Sequence, residues 1–600
     1  MCGLSGELRL DGGLADVAAV ARMTAAMEPR GPDGSGVWSN GPVALGHRRL
    51  KIIDLSDRAA QPMVDSELGL TGVFNGCLYN YKQLREELRE EGYRFFSTSD
   101  TEVLLKAYHR WGRDCVDHFK GMFAFVVALR DSGTLVLGRD RLGIKPLYVT
   151  RDTARLRFAS TLPALLAGGG VDTELDLVAL HHYMSFHSVV PPPRTIFAGV
   201  EKLPPATVRT IRADGTVEDH RYWAPDFTHV PETSPADRSP ADRSAADWST
   251  AVLEGLRTAV DRRMVADVPV GVLLSGGLDS SFIVALLAEA GQRDLTTFSI
   301  GFEAAGGESG DEFVYSDLVA EHFGTDHHRI RIDDSRLLPA LAGAIGAMSE
   351  PMVSHDAVAF YLLSQEVSRH VKVVQSGQGA DEVFAGYDWY PPLADVPRAD
   401  AAESYARVFF DRRHDALVGI LNPVYLLDDD AAFDFVRRHF DQPGAETSVD
   451  AALRLDTTVM LVDDPVKRVD NMTMAWGLEA RTPFLDHDLV ELAAACPPEL
   501  KLAEDGKGVL KRAARGLVPD EVIDRTKGYF PVPAIRHLSG PYLEMVREAL
   551  AAPAAKSRAL FRPEYVERLL AAPSTHRTTL GASQLWQVAL LELWLQNHGV

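Results

Sequence analysis

The stretch VPVGVLLSGGLDSSFIVALLAEAG, residues 268–291, decides how the rest of the chain is read. An apolar run ends in Ser275-Gly276-Gly277-Leu278-Asp279-Ser280, and a second apolar run of helical length follows. A strand feeding a glycine turn that opens a helix sets backbone N–H groups at a helix N-terminus. There they bind phosphate without a lysine. Paired glycines let the main chain approach the anion closely. For Ser-Gly-Gly alone, an ordinary tight turn is an equal reading; the full hexapeptide between strand and helix favours an anion loop. The chain has no GxxxxGK[ST] loop, and this turn lacks GxGxxG, so neither a Walker ATPase nor a dinucleotide site is indicated.

Outward from it, TTFSIGF (296–302) reads as a second strand and VKVVQSGQG (371–379) as a third, ending in Ser376-Gly377-Gln378-Gly379-Ala380-Asp381-Glu382. Apolar strands alternating with helices predict a parallel sheet with helices on both faces. Two glycine turns at the C-terminal ends of such strands share one crevice. Asp279 and Asp381 there suit Mg²⁺ beside a pyrophosphate; helix N-capping is the alternative for each. The hexapeptide resembles the pyrophosphate loop of enzymes that split ATP into AMP and pyrophosphate. From about residue 400 onward helical patterns dominate.

The first 220 residues have another grammar, strands and hairpins with a few helices. VALGHRRLKIIDL (43–55) and MFAFVVAL (122–129) read as strands, and NYKQLREELREEGY (80–93) as a helix with Leu84 and Leu88 on one face. Ser99 three residues before Glu102 predicts a capping box and a helix beyond it. Residues 229–247, HVPETSPADRSPADRSAAD, predict a solvated linker. The expected domains are therefore 1–225, a polar linker 226–249, and 250–600.

Charge is 62 basic against 84 acidic residues, a balance of −22, which argues against a broad nucleic-acid or anionic-membrane surface. No stretch approaches the ~18 apolar residues of a membrane span. The four cysteines, Cys2, Cys77, Cys115 and Cys496, are too scattered for a disulfide framework or a structural zinc site. A reducing, cytoplasmic location is expected.

Cys2 is the unusual one. Removal of Met1 would give its thiol a base, the chain's own α-amine, with a reference pKa near 7.7–8.0. A buried structural cysteine is the alternative. Asn75-Gly76, at the end of the strand TGVFNG, can form an oxyanion hole from an amide and a backbone N–H. Arg49 can grip a carboxylate. Asp100 can pair with an ammonium group, or cap its helix. Together they fit an amino acid held by both head groups with its side-chain amide presented to a thiolate, which is glutamine hydrolysis through a thioester.

Through these and further segments, nearly the whole chain outside the linker resembles glutamine-hydrolysing asparagine synthetases. The matches are Cys2-Gly3, Arg30-Gly31-Pro32-Asp33, His47-Arg48-Arg49-Leu50, Asn75-Gly76, Ser99-Asp100-Thr101-Glu102, Gly121-Met122-Phe123-Ala124 and Arg139-Asp140-Arg141-Leu142-Gly143. They continue in both glycine loops, in NMTMAWGLEARTPFLD (471–486) and in GKGVLKRAARGLVPDEV (506–522). The resemblance implies an α+β Ntn-hydrolase sandwich (αββα), a class II glutamine amidotransferase, followed by an α/β ATP-pyrophosphatase domain with a parallel sheet and a helical C-terminal part. It implies glutamine contacts at Arg49, Leu50, Ile53, Asn75, Gly76, Cys77 and Asp100. ATP contacts fall at Leu273, Ser275, Gly276, Gly277, Asp279, Ser280, Ile300, Ser376 and Gly377. The acceptor site takes Gln378 and Asp381, and Mg²⁺ takes Asp279 and Asp381. Lys507 matches a lysine near the reacting acyl phosphate; without the resemblance it reads as a solvated surface lysine. Ammonia is expected to pass through an internal channel to a carboxylate activated as its adenylate. The partners are small molecules, with no nucleic acid or membrane; a homodimer is left open.

Two positions depart from the family pattern. Cys77 stands where the family usually has a glutamate that helps hold the glutamine ammonium, so Asp100 bears more of that task. Neutral Gln378 stands where an acidic residue is usual, which suits an acceptor without a free α-ammonium, or is simply tolerated. Both departures, with SGQGADEVFAGYDWYPP (376–392), resemble a subgroup that makes N-acetylglutaminylglutamine amide, a compatible solute. Aspartate, or another secondary-metabolite carboxylate, is the competing acceptor. A synthetase using an internal amine, of the β-lactam type, and a non-catalytic relative are the rival classes. Cys2, Arg49, Asn75 and Asp100 argue against the first; Asp279, Asp381 and Lys507 argue against the second.

Overall fold

A computed structural model describes residues 2–229, 243–302, 312–526, 528, 535 and 537–600. The middle of the expected linker, 230–242, lies outside them.

The amino-terminal part is built from two six-stranded sheets. The first orders Glu201–Lys202, Tyr148–Arg151, Arg155–Ala159, Gly3–Arg9, Val43–Arg49 and Gly34–Asn40. The second orders Val217–Arg221, Thr207–Ile211, Thr134–Arg139, Gly121–Leu129, Leu70–Leu78 and Met63–Asp65. Every pairing within them is antiparallel. Side-chain alternation explains the stacking. In Gly121–Leu129, Ala124, Val126 and Ala128 join Leu4, Leu45 and Phe158 of the other sheet in one core. Phe123, Phe125 and Val127 point the other way, to Leu84, Leu88 and Leu104 of helices Tyr81–Glu90 and Asp100–Trp111. Helices Val17–Ala26 and Leu162–Gly168 cover the outer face of the first sheet through Val20, Met23 and Leu165. The layers run helix, sheet, sheet, helix, the αββα sandwich expected.

The carboxyl-terminal part centres on a five-stranded parallel sheet, ordered Asp326–Ile332, Thr296–Phe302, Val270–Leu273, Val373–Gln375 and Glu479–Arg481. Alternate residues again face two layers. Val272, Leu274 and Val373 pack with Val252 and Phe282 of helices Ala245–Arg262 and Leu278–Glu289. Leu273, Val374 and Ala480 pack with Leu363 and Val469 of helices Asp356–Val367 and Lys467–Met474. The strand order reverses between Val270–Leu273 and Val373–Gln375, which are direct neighbours. Both glycine turns leave the C-terminal ends of these strands, at the switch point.

Several local expectations are corrected. The strand expected over 43–55 stops at Arg49. There the Arg49 guanidinium takes the carbonyl of Ser56 at 2.8 Å and that of Asp54, folding residues 50–56 back on the strand end. Asn75 and Gly76 lie inside the strand Leu70–Leu78, not at its end. The capping box at Ser99 forms by half: Ser99 Oγ accepts the Glu102 N–H at 3.2 Å. The Glu102 carboxylate instead takes the N–H groups of Phe96 and Ser97, at 2.9 and 2.7 Å. The last residues of the expected linker are helical, since Ala245–Arg262 starts early behind a complete Ser244–Asp247 capping box. The two parts also share continuous apolar clusters, so they are packed together and not merely tethered. No helix among the described residues is long and apolar enough to cross a membrane.

Candidate active sites

The first site lies where the two sheets meet the second part of the chain. Cys2 precedes the strand Gly3–Arg9 and is buried, and its backbone N–H donates to Asn75 Oδ1 at 3.0 Å. Asn75 is held in turn by Ser160, whose Oγ lies 3.5 Å from Nδ2. Gly76 has no room for a side chain, since a Cβ would stand 2.2 Å from the Met122 carbonyl oxygen. One cavity is lined by Cys2, Arg49, Leu50, Ile53, Gly76, Cys77 and Asp100. These are the residues of the expected glutamine pocket apart from Asn75, which stands behind Cys2. Burial pushes the Cys2 thiol up, against the pull of the Leu50 backbone and the Arg49 charge. Burial also raises the Asp100 carboxyl to about 6, although Asp100 Oδ2 accepts the Leu78 N–H at 3.2 Å.

Glu479 also lines this cavity, and sequence reasoning missed it. It comes from the last strand of the parallel sheet, and Arg481 Nε donates to its carboxylate at 2.6 Å. Arg481 Nη2 stands 3.7 Å from Cys77 Sγ. The arginine thus faces a neutral thiol at the position where the family pattern has a carboxylate, and its charge is met by Glu479. The residue lies about 400 positions from the cavity's other walls, so no local spacing points to it.

The second site is the pair of glycine turns. Gly276 has φ +76°, and a Cβ there would stand 2.6 Å from the Ser316 backbone nitrogen. Ser275 Oγ lies 3.1 Å from Ser280 Oγ and accepts the Gly277 N–H at 3.3 Å, closing the loop on itself. Helix Leu278–Glu289 starts behind Gly277 with no side-chain cap, so its first N–H groups face the crevice as an anion seat requires. Gly377 packs on this loop so closely that a Cβ would lie 2.9 Å from that of Asp279. Leu273 and Ile300 are buried in the sheet beside it, Ser376 is buried at the second strand's end, and Gln378 is half-buried next to Gly377.

Lys507 joins the two turns. Its Nζ donates to Asp279 Oδ2 at 2.7 Å and lies 2.9 Å from Asp381 Oδ1. Burial alone would lower this ammonium, but the two carboxylates raise it well above the lysine range. It is not a solvated surface lysine; it is buried, 8% exposed. Lys507 follows Glu504, Asp505 and Gly506, all with φ between +56° and +91°, and has φ +56° itself. Such a run is strained for non-glycine residues, and strain of this kind gathers at functional sites. The donor set also fits Mg²⁺: two half-buried carboxylates already meet on one cation.

The family model of asparagine synthase matches residues 251–596, and that of the glutamine amidotransferase domain matches 1–223. The chain belongs to the asparagine synthase family. It is an ATP-dependent carbon–nitrogen ligase with glutamine as amido donor. Asparagine synthetase (glutamine-hydrolyzing) 1 of Bacillus subtilis (strain 168) is 31% identical, covering 96% of this chain and 93% of the relative. Asparagine synthetase (glutamine-hydrolyzing) 3 of the same organism is 33% identical, over 88% of this chain and 87% of that one. Among solved structures, a glutamine phosphoribosylpyrophosphate amidotransferase from B. subtilis covers 55% of this chain and 90% of its own. That match is 15% identical with a TM-score of 0.30, and the sandwich described above does not depend on it.

In this asparagine synthase family member the two parts of the chain are bridged by buried charges. Arg30 pairs with Asp470 at 2.9 Å, and Lys145 reaches the same carboxylate at 3.2 Å. Lys202 pairs with Asp463 at 2.6 Å and Glu350 at 3.0 Å. Each pair joins a residue of the sandwich to one of the synthetase part.

Proposed function

We propose that this enzyme transfers the amide nitrogen of glutamine to an acceptor carboxylate that lacks a free α-ammonium, of the N-acetylglutaminylglutamine kind. Cys2, once Met1 is removed, gives its thiol proton to its own α-amine and attacks the glutamine side-chain carbon. The amine returns that proton to the leaving ammonia, and water hydrolyses the thioester to glutamate. Asn75 and Gly76 steady the oxyanion. Arg49 holds the glutamine carboxylate, and Asp100 its ammonium. At the second site the acceptor carboxylate attacks the α-phosphorus of ATP and pyrophosphate leaves. Ammonia arriving from the first site displaces AMP from the acyl carbon.

The hexapeptide and the open helix N-terminus behind it cradle the pyrophosphate. Lys507 places a cation where negative charge develops. Asp279 and Asp381 would hold Mg²⁺, which supplies charge neutralisation to the phosphates. The two carboxylates that pair with Lys507 are the ones that would hold the metal.

The observation that carries the acceptor reading is the second loop. Gln378 is neutral, Asp381 is engaged by Lys507, and Glu382 accepts the Tyr387 hydroxyl at 2.6 Å. The loop's acidic groups are committed, which disfavours an acceptor that brings its own cation. The test is a carboxylate panel with ATP, Mg²⁺ and glutamine, following pyrophosphate release and amide product. N-acetylglutaminylglutamine is expected to be amidated in preference to aspartate. Amidation of aspartate alone would sink this reading and leave asparagine synthesis in its place.

A further inference from the structure

Three side chains outside both cavities converge from distant parts of the chain. His181 lies in helix Leu177–Ser185 of the sandwich part, His414 opens the short helix His414–Leu417, and Asp430 caps helix Ala431–Phe440. His181 Nε2 stands 2.9 Å from His414 Nδ1 and 3.9 Å from Asp430 Oδ1. One ligand atom of each lies within 4.8 Å of the others. Glutamine hydrolysis and carboxylate activation make no use of them.

We propose that His181, His414 and Asp430 form a binding site for a divalent transition metal, of the Zn²⁺ class, that clamps the sandwich to the synthetase part. Two imidazole nitrogens and one carboxylate are a donor set that zinc takes, with a fourth position left for water. Donors at about 2.0–2.1 Å from a tetrahedral ion stand about 3.3 Å apart. The two imidazoles need to part by about 0.4 Å, and the carboxylate to close by about 0.6 Å, to reach that spacing. Metal is bound by neutral imidazole, and the two ring nitrogens His181 Nε2 and His414 Nδ1 already face one another. Asp430 Oδ1, the oxygen that faces His181, also accepts the Phe433 N–H at 3.0 Å; a carboxylate oxygen carries a second lone pair to offer an ion. His181 is buried, whereas His414 and Asp430 are half-buried, so the ion has a way in. The cleft beside the site runs between the same two parts, lined by His182 and Arg194 on one wall and Asp429 and Ala431 on the other.

The site is independent of the reaction, so its test reads metal and stability. The full-length chain is stripped with a chelator, titrated with Zn²⁺ in excess Mg²⁺, and its bound zinc counted after gel filtration. The unaltered chain is expected to keep one equivalent more than His414→Ala, and zinc is expected to raise Tm only in the unaltered chain. Asp430→Asn retains the helix cap, because Asn caps as well as Asp, yet removes the charge. Even an outer-shell partner is worth about 10–100-fold in affinity, so a weakening of at least about tenfold is expected. Equal zinc on the unaltered chain and on folded His414→Ala, or none on either, overturns the proposal. Should His414→Ala fail to fold, unchanged zinc affinity in Asp430→Asn overturns it alone.

Discussion

In the proposed reaction Asp100 combines two demands, burial in the Cys2 cavity and a charge that meets the glutamine ammonium. Its carboxyl is raised to about 6 by burial, so it is ionised at pH 7 and becomes neutral as pH falls through about 6. A neutral Asp100 attracts the glutamine ammonium less. We therefore expect glutaminase kcat/KM, which reports the free enzyme, to fall below about pH 6 in the unaltered enzyme. Asp100→Asn should remove that inflection and raise KM for glutamine about 10–100-fold, the worth of about 1.5–3 kcal/mol for a charged hydrogen bond. An inflection that persists in the variant would assign it to another group. The cavity's own walls are legible in sequence because they sit in short motifs around Cys2, Arg49, Asn75 and Asp100. Glu479 is not, and Lys507 is legible only through the family resemblance. The Lys507–Asp279 contact joins residues 228 apart, and three non-glycine residues of 504–507 adopt φ values that their types disfavour. Only the closed fold compels them.

At the scale of elements, the two glycine turns act as one. A Cβ on Gly377 would stand 3.1 Å from the Ser280 backbone nitrogen as well as 2.9 Å from the Asp279 Cβ. Gly377→Ala must therefore push the second turn off the first and displace Asp381 from Lys507. Pyrophosphate release should drop by about 10²-fold, in line with the loss of one preorganised charge-stabilising contact, while glutamine hydrolysis persists. Parallel losses of both activities in folded protein would contradict separate seats for the two reactions. The strands and the two turns are legible because alternating or continuous apolar runs end at glycine. The π-helical stretches Asp456–Met460 and Val462–Val466 are not. Five residues are too few to separate their period from an α-helix, and the signal present, Pro465 with no N–H to donate, reads equally as a kink. The early start of helix Ala245–Arg262 was hidden for another reason: its cap, Ser244 with Asp247, has the composition of the linker it ends.

The whole molecule is acidic, −22 in net charge, and buried ion pairs join its two parts. Asp470 pairs with both Arg30 and Lys145. Removing one partner of a buried pair costs about 3–5 kcal/mol, because the other charge is left uncompensated. Asp470→Asn should lower Tm by about 5–10 °C and raise the glutamine consumed per amide formed, since the seam between the two sites loosens. An unchanged Tm and stoichiometry would show that the seam is held by its shared apolar clusters alone. In the proposed reaction two chemically separate sites work on one body, the first delivering ammonia and the second using it. The most direct measurement compares unaltered enzyme with Cys2→Ala, supplying ATP, Mg²⁺ and the amidated carboxylate with either glutamine or ammonium. The variant should lose glutamine-dependent amide formation and keep ammonium-dependent formation near the unaltered rate. Loss of both in folded Cys2→Ala, or retention of glutamine-dependent synthesis, would contradict the account.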